Sequence, residues 1–253
     1  MKRHFILLVA VIIGMMLSSC VININGETVK GDGNVVTHAY DISNFDEVVC
    51  ALPATVNYTV ADTYSCTVRV DSNMLEYIDI KVEDGVLSLS QPEPMKNGIY
   101  LNFNATEFVI DITSPSLNEI TLAGSGDINI LSPLQAQKLE VTVAGSGNVA
   151  FKEDVNIQQL EVSVAGSGDI LVDKGLIRKF EADIAGSGDI VAHAEAQVVE
   201  ATVMGSGDIT VNVSGSLEYQ VVGSGDIHYY GDAKVNGEVA GSGSLNRIDA
   251  PSR

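Results

Sequence analysis

The sequence contains no tryptophan, only 6 prolines, and 14 Lys and Arg residues against 33 Asp and Glu residues. The resulting formal net charge of −19 excludes a nucleic-acid-binding protein, because such proteins need basic patches that displace counterions from the phosphates. A hydrophobic content of 45% argues against a disordered chain. The 24 glycines and the many Val, Ile and Thr residues favour strands joined by tight turns. The composition therefore predicts an all-β protein.

The first twenty residues, MKRHFILLVAVIIGMMLSSC, have the pattern of an export signal. Lys2 and Arg3 precede an apolar run over residues 5–17, and small residues follow it. The end of the segment, LSSC, resembles the lipobox of bacterial lipoproteins, which implies cleavage before Cys20 and acylation of its thiol. We therefore predict a lipoprotein signal over residues 1–20 and a membrane attachment through the acyl chains on Cys20. An uncleaved anchor and an ordinary secretory signal are the alternatives.

Two further cysteines, Cys50 in EVVCAL and Cys66 in YSCTVRV, leave two alternatives open. An exported compartment permits them to form a disulfide. Each also lies in an apolar strand pattern, where a free cysteine behaves as a small buried hydrophobe. A catalytic thiol is not expected, because none of the three histidines beyond the signal lies in a motif that would activate one.

The strongest pattern is the tripeptide Gly-Ser-Gly, which begins at residues 124, 145, 166, 186, 205, 223 and 241. A repeat of 18–21 residues is typical of a solenoid. Apolar and polar residues alternate before each tripeptide, as in EVTVAGSG, and a second alternating segment follows it. This period of two predicts strands with one buried face and one solvated face.

Each unit is therefore predicted to form a strand, a corner, a second strand and a variable connector. Equivalent strands should pair in parallel, which gives a right-handed parallel β-helix, a single-stranded solenoid. The glycines suit a corner where a Cβ would clash with the same corner of the next coil. A phosphate-binding loop is excluded, because no helix and no lysine follow the tripeptide.

Residues 38–116 lack the tripeptide but contain strand patterns, so we predict irregular N-terminal coils there. Within this part, the Asp-Gly pair of VEDGVL predicts a two-residue hairpin turn. The Asn- and Gly-rich segment after Cys20 predicts a flexible tether. The predicted organisation is a signal at 1–20, a tether at 21–37, a β-helix domain at 38–249 and a tail at 250–253.

Three segments together resemble the head GIN domain family of autotransporter adhesins, which is common in lipoproteins of Gram-negative bacteria. They are FDEV at 45–48, ITSPSLNEITLAGSGDI at 112–128, and the repeated LEVxVAGSGDI. The resemblance extends over about residues 45–245. It implies a right-handed single-stranded β-helix and an adhesin-like function, and it supplies no catalytic residues.

Two acidic columns flank the corners. An aspartate column follows them, and a glutamate column stands five residues before each of the first six. The glutamate column consists of Glu119, Glu140, Glu161, Glu181, Glu200 and Glu218. In register, like charges about 5 Å apart repel by roughly 0.8 kcal/mol per pair even in water. Either solvation, splayed side chains and hydrogen bonds to turn amides relieve this repulsion, or four of the aspartates bind a divalent cation such as Ca²⁺. The predicted cation ligands are Asp169, Asp189, Asp208 and Asp226. The glutamate column is interpreted as a solvated outer face, or as an anionic strip for a partner.

We predict a non-enzymatic lipoprotein of the Gram-negative cell envelope, anchored in the outer membrane, whose β-helix presents an adhesion or binding surface. The expected ligand is a glycan or a protein, and both the periplasmic face and the cell surface are open as locations. One alternative is a periplasm-facing structural or stress-linked binding module. A carbohydrate-active β-helix enzyme is a weaker alternative, because fold does not establish function and such enzymes need a unique carboxylate cluster.

Overall fold

The alternating segments of the sequence form strands throughout the computed structural model, which describes residues 28–92 and 101–250. The predicted signal and Cys20 lie outside these residues. The regular repeats begin at residue 119. Their strands are β10 (Glu119–Gly124), β11 (Asp127–Ile130), β12 (Leu134–Gly145), β13 (Asn148–Phe151), β14 (Val155–Gly166), β15 (Ile170–Val172), β16 (Gly175–Gly186), β17 (Ile190–Gly205), β18 (Ile209–Gly223), β19 (Ile227–Tyr230), β20 (Lys234–Gly241) and β21 (Leu245–Arg247). Strands β17 and β18 each run without a break from one tripeptide to the next.

Equivalent strands of successive coils pair in parallel and in register. In β10, β12 and β14, the residues two before each tripeptide are stacked neighbours, as are the first glycines. The same register continues through β16, β17, β18 and β20. Seven corners thus bound a β-solenoid of about six turns, which confirms the predicted parallel β-helix.

The core is a set of apolar columns inside the coils. Val143, Val164 and Ile184 stack above one another and are at most 1% exposed. The residues that alternate with them along each strand face outward, because successive side chains of a strand point to opposite faces. One continuous apolar cluster extends from Phe45 to Ile227, so the core crosses from the N-terminal part into the regular coils.

Glycine is required at the corners for two different reasons. Gly145 has φ +146°, a conformation that residues with a Cβ rarely adopt, and a Cβ there would overlap the carbonyl oxygen of Gly124. A Cβ on Gly147 would overlap the carbonyl oxygen of Gly126 in the coil below. Close stacking is stabilised because the amides of Ser146 and Gly147 both donate to the Gly124 oxygen, at 2.9 and 3.1 Å.

The N-terminal part does not follow chain order along the solenoid axis. Strand β3 pairs in parallel with β10 on one side and β7 on the other, while β4 lies between β11 and β9. Beyond them, β2, β5 and β6 run antiparallel to their neighbours. These strands are β1 (Thr28–Lys30), β2 (Val35–Tyr40), β3 (Glu47–Cys50), β4 (Thr55–Val60), β5 (Ser65–Asp71), β6 (Asp79–Glu83), β7 (Val86–Ser90), β8 (Asn102–Asn104) and β9 (Phe108–Ser114), with a 3-10 helix at Ser72–Tyr77.

The predicted irregular coils are therefore present, but antiparallel strands close their outer end. The predicted hairpin turn is confirmed, since Asp84 and Gly85 both have positive φ and Glu83 pairs with Val86. Antiparallel strands across the end cover the edge that parallel coils would leave open.

The prediction of a flexible tether is wrong for residues 28–37. Strand β1 pairs with β8, and β2 pairs with β5, so both belong to sheets. The fully buried carboxylate of Asp71 holds this segment, because it accepts hydrogen bonds from the amides of Gly33 (2.8 Å) and Thr106 (2.6 Å). Residues 21–27 of the predicted tether lie outside the described residues.

Candidate functional site

The aspartate column after the corners forms a ladder of hydrogen bonds to the backbone. The amide of Asp189 donates to Oδ1 of Asp169 at 2.8 Å, and the amide of Asp208 donates to Oδ1 of Asp189 at 2.8 Å. The next two rungs join the amide of Asp226 to Asp208 and that of Ser244 to Asp226, both at 2.7 Å. Each carboxylate thus accepts from the coil above it, which offsets the repulsion between stacked charges.

The carboxylate ladder gives the aspartate amides a hydrogen-bond acceptor in place of a backbone carbonyl. After the corners that begin at residues 166, 186 and 205, the isoleucine amide donates to the aspartate carbonyl of the next coil, as Ile190 does to Asp208 at 3.0 Å. The aspartate amide itself turns to the carboxylate of the coil below. Asn148 in the same column shows that an amide side chain can do this too, since its Oδ1 accepts from the Asp169 amide at 3.1 Å.

The structure does not bring Asp169, Asp189, Asp208 and Asp226 together as a set of cation ligands. Within residues 28–92 and 101–250, no three or more His, Cys, Asp and Glu side chains converge in a way that could hold a metal ion. The carboxylates lie one per coil along a line, and their Oδ1 atoms already accept from amides. The first of the two sequence hypotheses, hydrogen bonding to turn amides, describes this column.

Of the two alternatives for Cys50 and Cys66, the structure has the second, because both are buried and free. Burial raises the pKa of the Cys50 thiol to about 11 and that of the Cys66 thiol to about 12. Both therefore stay protonated near neutral pH and act as small apolar residues of the core. Cys20, the predicted lipidation site, lies outside the described residues.

The glutamate column before the corners is partly neutralised by a lysine column that the sequence analysis did not identify. Lys138 Nζ lies 3.3 Å from Glu140 Oε2 and 3.1 Å from Glu161 Oε2 of the next coil. Lys179 repeats this arrangement, with Nζ 3.6 Å from Glu181 Oε2 and 2.9 Å from Glu200 Oε1. The sequence pattern that could have revealed these lysines is a lysine two residues before a glutamate of the column.

Asp183 is the carboxylate least suited to its place on this face. The pKa of Asp183 is raised to about 6, mainly by burial and in smaller part by the nearby Glu181, Glu200 and Glu161. A hydrogen bond with Thr202 works in the opposite direction. The other positions of this outward column near it, Ser163 and Thr202, are uncharged, so Asp183 brings an additional negative charge to an acidic face.

A groove runs beside Lys138 and Lys179, at the bend between the connector and the strand segment that precedes Gly-Ser-Gly. This bend is a different corner of the coil from the Gly-Ser-Gly corner. The groove has a volume of about 650 Å³ and an open mouth. A second groove of about 250 Å³ continues it toward the C-terminal coils and shares Val198 with it. The first groove is lined by Gln137, Gln158, Gln159, Arg178, Lys179, Gln197 and Val198. We call this set the corner groove.

None of these features amounts to an enclosed catalytic cavity; they are columns and shallow grooves along the side of the solenoid. No helix among the residues that the structure describes is long and apolar enough to cross a membrane.

The geometry defines the class of this protein, a parallel β-helix whose repeated side chains form straight columns on its lateral surface. The chain belongs to the family described as "Putative auto-transporter adhesin, head GIN domain", whose model matches residues 44–233. The resemblance inferred from the sequence is thereby confirmed.

Solved structures of the same fold come from Bacteroides and Parabacteroides species. A "putative adhesin" from Bacteroides fragilis NCTC 9343 has 26% identity and a TM-score of 0.77, over 87% of this chain and 100% of that chain. A "Putative lipid binding protein" from Parabacteroides distasonis ATCC 8503 has 29% identity and a TM-score of 0.76, over 88% of this chain and 100% of that chain. A search among curated proteins found no match. These descriptions name adhesins and a lipid-binding protein rather than enzymes.

Proposed function

We propose that this protein is a lipid-anchored adhesin of the Gram-negative cell envelope, which binds its ligand along the lateral surface of the β-helix. The observation that carries the proposal is the register of the coils, because it places chemically equivalent polar residues in straight columns over about six turns. Membership of a family described as adhesins supports the same function. The lipobox-like LSSC ending at Cys20 supports the anchor.

Such a surface suits an extended ligand better than a small one. Successive coils are about 4.8 Å apart, so a polymer lying along the axis meets the same side chains at a regular spacing. Many weak contacts along one polymer raise the overall avidity without a deep pocket. A stacked solenoid needs no movement to present this surface, since each coil is held by its neighbours.

Binding is tested with the full-length chain in detergent micelles on an array of glycans and proteins. The expected result is saturable binding to one class of extended ligand. An array that stays blank at micromolar protein would contradict the adhesin function.

The anchor is tested separately with Cys20→Ala in the native host or in a Gram-negative expression host. We expect the parent chain to incorporate a labelled fatty acid and to fractionate with membranes, and Cys20→Ala to lose both properties. Equal labelling of the two chains would refute lipidation at Cys20.

The second candidate function is a periplasm-facing binding module. The strong acidity of the chain supports this candidate, because anionic partners at a cell surface would be repelled. Protease treatment of intact cells separates the two locations. Loss of the β-helix domain supports surface exposure, and its survival until the cells are lysed supports the periplasmic face.

A further inference from the structure

In the coils from β12 to β17, one residue per coil is left out of the parallel strand pairing. It lies at the bend between the connector and the strand segment that precedes Gly-Ser-Gly. Between β12 and β14 the register runs from Ala136 and Ile157 directly to Lys138 and Gln159, so the residues between them form the bend. The same interruption recurs between β14 and β16 and between β16 and β17. The bend residues of four successive coils are Gln137, Gln158, Arg178 and Gln197.

These four side chains are exposed and have uncommitted hydrogen-bonding groups. In the part of the chain that the structure describes, the Arg178 side chain makes no ion pair. The side-chain amides of Gln137, Gln158 and Gln197 make no hydrogen bond there. Their neighbours differ in this respect, because Lys179 is paired with Glu181 and Glu200, and Gln159 donates to Glu161 at 2.7 Å. A free guanidinium is unusual in a chain with a net charge of −19.

The bend residues line an open groove that follows the solenoid axis. The corner groove has a volume of about 650 Å³ and continues into the groove of about 250 Å³ that reaches Lys234. From the coil of Gln137 to the coil of Lys234 there are five coil spacings of about 4.8 Å, so the run is about 24 Å long. Four of the seven glutamines of the chain line the corner groove, which concentrates amide groups there.

The chemistry of the groove matches a polysaccharide that carries carboxylates. Each glutamine amide offers two donors and an acceptor, which is what sugar hydroxyls require. The planar guanidinium of Arg178 can bind a carboxylate with two parallel hydrogen bonds. Val198 provides an apolar floor for the C–H faces of a sugar ring.

The charges beside the groove limit how acidic this polymer can be. Glu161, Glu181 and Glu200 stand two residues along the coils from the lysine column and repel closely spaced anions. Lys138 and Lys179 are already shared between these glutamates, so Arg178 is the cation that remains for a ligand in the first groove. A polymer with one carboxylate for every second sugar fits better than one with a carboxylate on every sugar.

We propose that the corner groove binds an extended, sparsely carboxylated polysaccharide, with Arg178 on a carboxylate and Gln137, Gln158 and Gln197 on hydroxyl or amide groups of neighbouring sugars. This inference rests on the proposed adhesin function and names its ligand class and its site. The glutamate column limits the charge of the ligand without binding it, and the aspartate ladder takes no part.

The test measures affinities of the full-length chain in detergent for labelled oligosaccharides. The probes are hyaluronan fragments, with a carboxylate on every second sugar, alginate fragments, with one on every sugar, and carboxyl-reduced hyaluronan fragments of equal length. We expect hyaluronan to bind at least threefold more tightly than alginate. Carboxyl reduction and Arg178→Gln should each weaken hyaluronan binding at least tenfold, and the two losses should not add, because both remove the same contact.

Lys152→Gln is the matched control, since Lys152 is an exposed cation outside the groove and its loss changes the net charge equally. Its affinity should stay within twofold of the parent chain. Gln158→Ala should weaken the acidic and the neutral fragments alike, by about threefold, because it removes a neutral hydrogen bond.

The inference is overturned if Arg178→Gln binds hyaluronan as tightly as Lys152→Gln, or if no carboxylated fragment binds while the chain binds other ligands on the array. The adhesin function survives both of those results. A protein ligand that is lost with Arg178→Gln would replace the polysaccharide by an acidic protein and overturn the inference. Absence of any binding on the array would overturn the adhesin function itself.

Discussion

The regular coils and the N-terminal part solve the same structural problems in different ways. In the coils, one solution is repeated, since every corner uses Gly-Ser-Gly and each of the first six is followed by an aspartate or asparagine that accepts from the next coil. In the N-terminal part each problem has its own solution, such as the single buried Asp71 that holds Gly33 and Thr106. Repetition gives long straight columns of side chains, whereas individual contacts give a closed end.

The two parts also treat charge differently. Arg69 in β5 is paired with Glu107 at 2.9 Å and Asp111 at 3.0 Å, so acid and base are matched one by one. The coils instead stack like charges above one another, and backbone amides or shared lysines reduce the repulsion between them. A repeated sequence places like residues at like positions, which is why its remaining repulsion collects at particular residues such as Asp183.

The largest effect is expected from a Cβ at a corner. Gly166→Ala should destabilise the protein by about 3 kcal/mol or more, because it combines an unfavourable φ of +142° with an overlap on the Gly145 carbonyl. Gly33→Ala is the N-terminal comparison, with φ +78° but open space around the new Cβ. It should cost only about 1 kcal/mol.

Urea unfolding followed by circular dichroism measures both variants. If Gly166→Ala failed to fold, Ser167→Ala, which keeps both glycines of that corner, would show whether the corner tolerates other changes. Equal losses for Gly166→Ala and Gly33→Ala would refute close coil stacking as the cause.

A smaller effect, of opposite sign, is expected at Asp183. The folded-state pKa of about 6 lies above the ordinary value of 3.8, so folding favours the protonated form. The stability contribution of Asp183 is therefore most favourable below about pH 4 and is lost as the pH rises through about 6. Asp183→Thr should gain on the order of 1–2 kcal/mol at pH 7 and nothing at pH 4.

Asp111→Thr is the N-terminal comparison for this change. It removes a carboxylate that is paired with Arg69, so it should not stabilise the protein at either pH. Unfolding midpoints at several pH values measure both variants. A gain for Asp183→Thr that is the same at pH 4 and pH 7 would show that charge is not its origin.

The aspartate ladder should contribute less per rung. Asp189→Ala leaves the Asp208 amide without its acceptor at 2.8 Å and should cost about 1 kcal/mol. Asp189→Asn keeps an acceptor and removes a charge, as Asn148 does in the parent chain, so its stability should match or exceed that of the parent. Thermal unfolding at low ionic strength compares them, and a loss for Asp189→Asn equal to that for Asp189→Ala would argue against an acceptor role.

The smallest effect is expected from the exposed ion pairs. Lys179→Gln releases Glu181 and Glu200 and should cost no more than about 0.5 kcal/mol, because pairs in contact with solvent are weak. The loss should shrink further in 0.5 M salt, whereas Lys152→Gln should show no such dependence. Unfolding in low and high salt gives both numbers, and a salt-independent loss would point to packing of the lysine stem instead.

Much of the fold could be predicted because its signals are local. The alternation around Val143 and Val164 and the glycines of each corner specify strands and bends within a few residues, and equal spacing then specifies stacking. The two acidic columns followed from the same spacing. Their surroundings did not follow, because the amide acceptors and lysine partners come from the adjacent coil.

The failures concern contacts between distant parts of the chain. The segment at residues 28–37 has a flexible composition, yet Asp71, 38 residues beyond Gly33, binds its backbone. Cys50 and Cys66 lie in the apolar strands β3 and β5, and nothing local shows whether two buried thiols meet. The corner groove was missed because the bend residues interrupt the period of two, so Gln137 and Arg178 belong to neither alternating segment.

By itself, the sequence determined the all-β class, the parallel coils, the glycine corners and the acidic columns, because sterics and a repeated period act between near neighbours. Only the tertiary structure decided that β3 lies between β7 and β10, that antiparallel strands close the N-terminal end, and that four bend residues line one groove. These arrangements depend on which edges and side chains meet after the chain has folded, and residues far apart in sequence carry no local mark of that meeting.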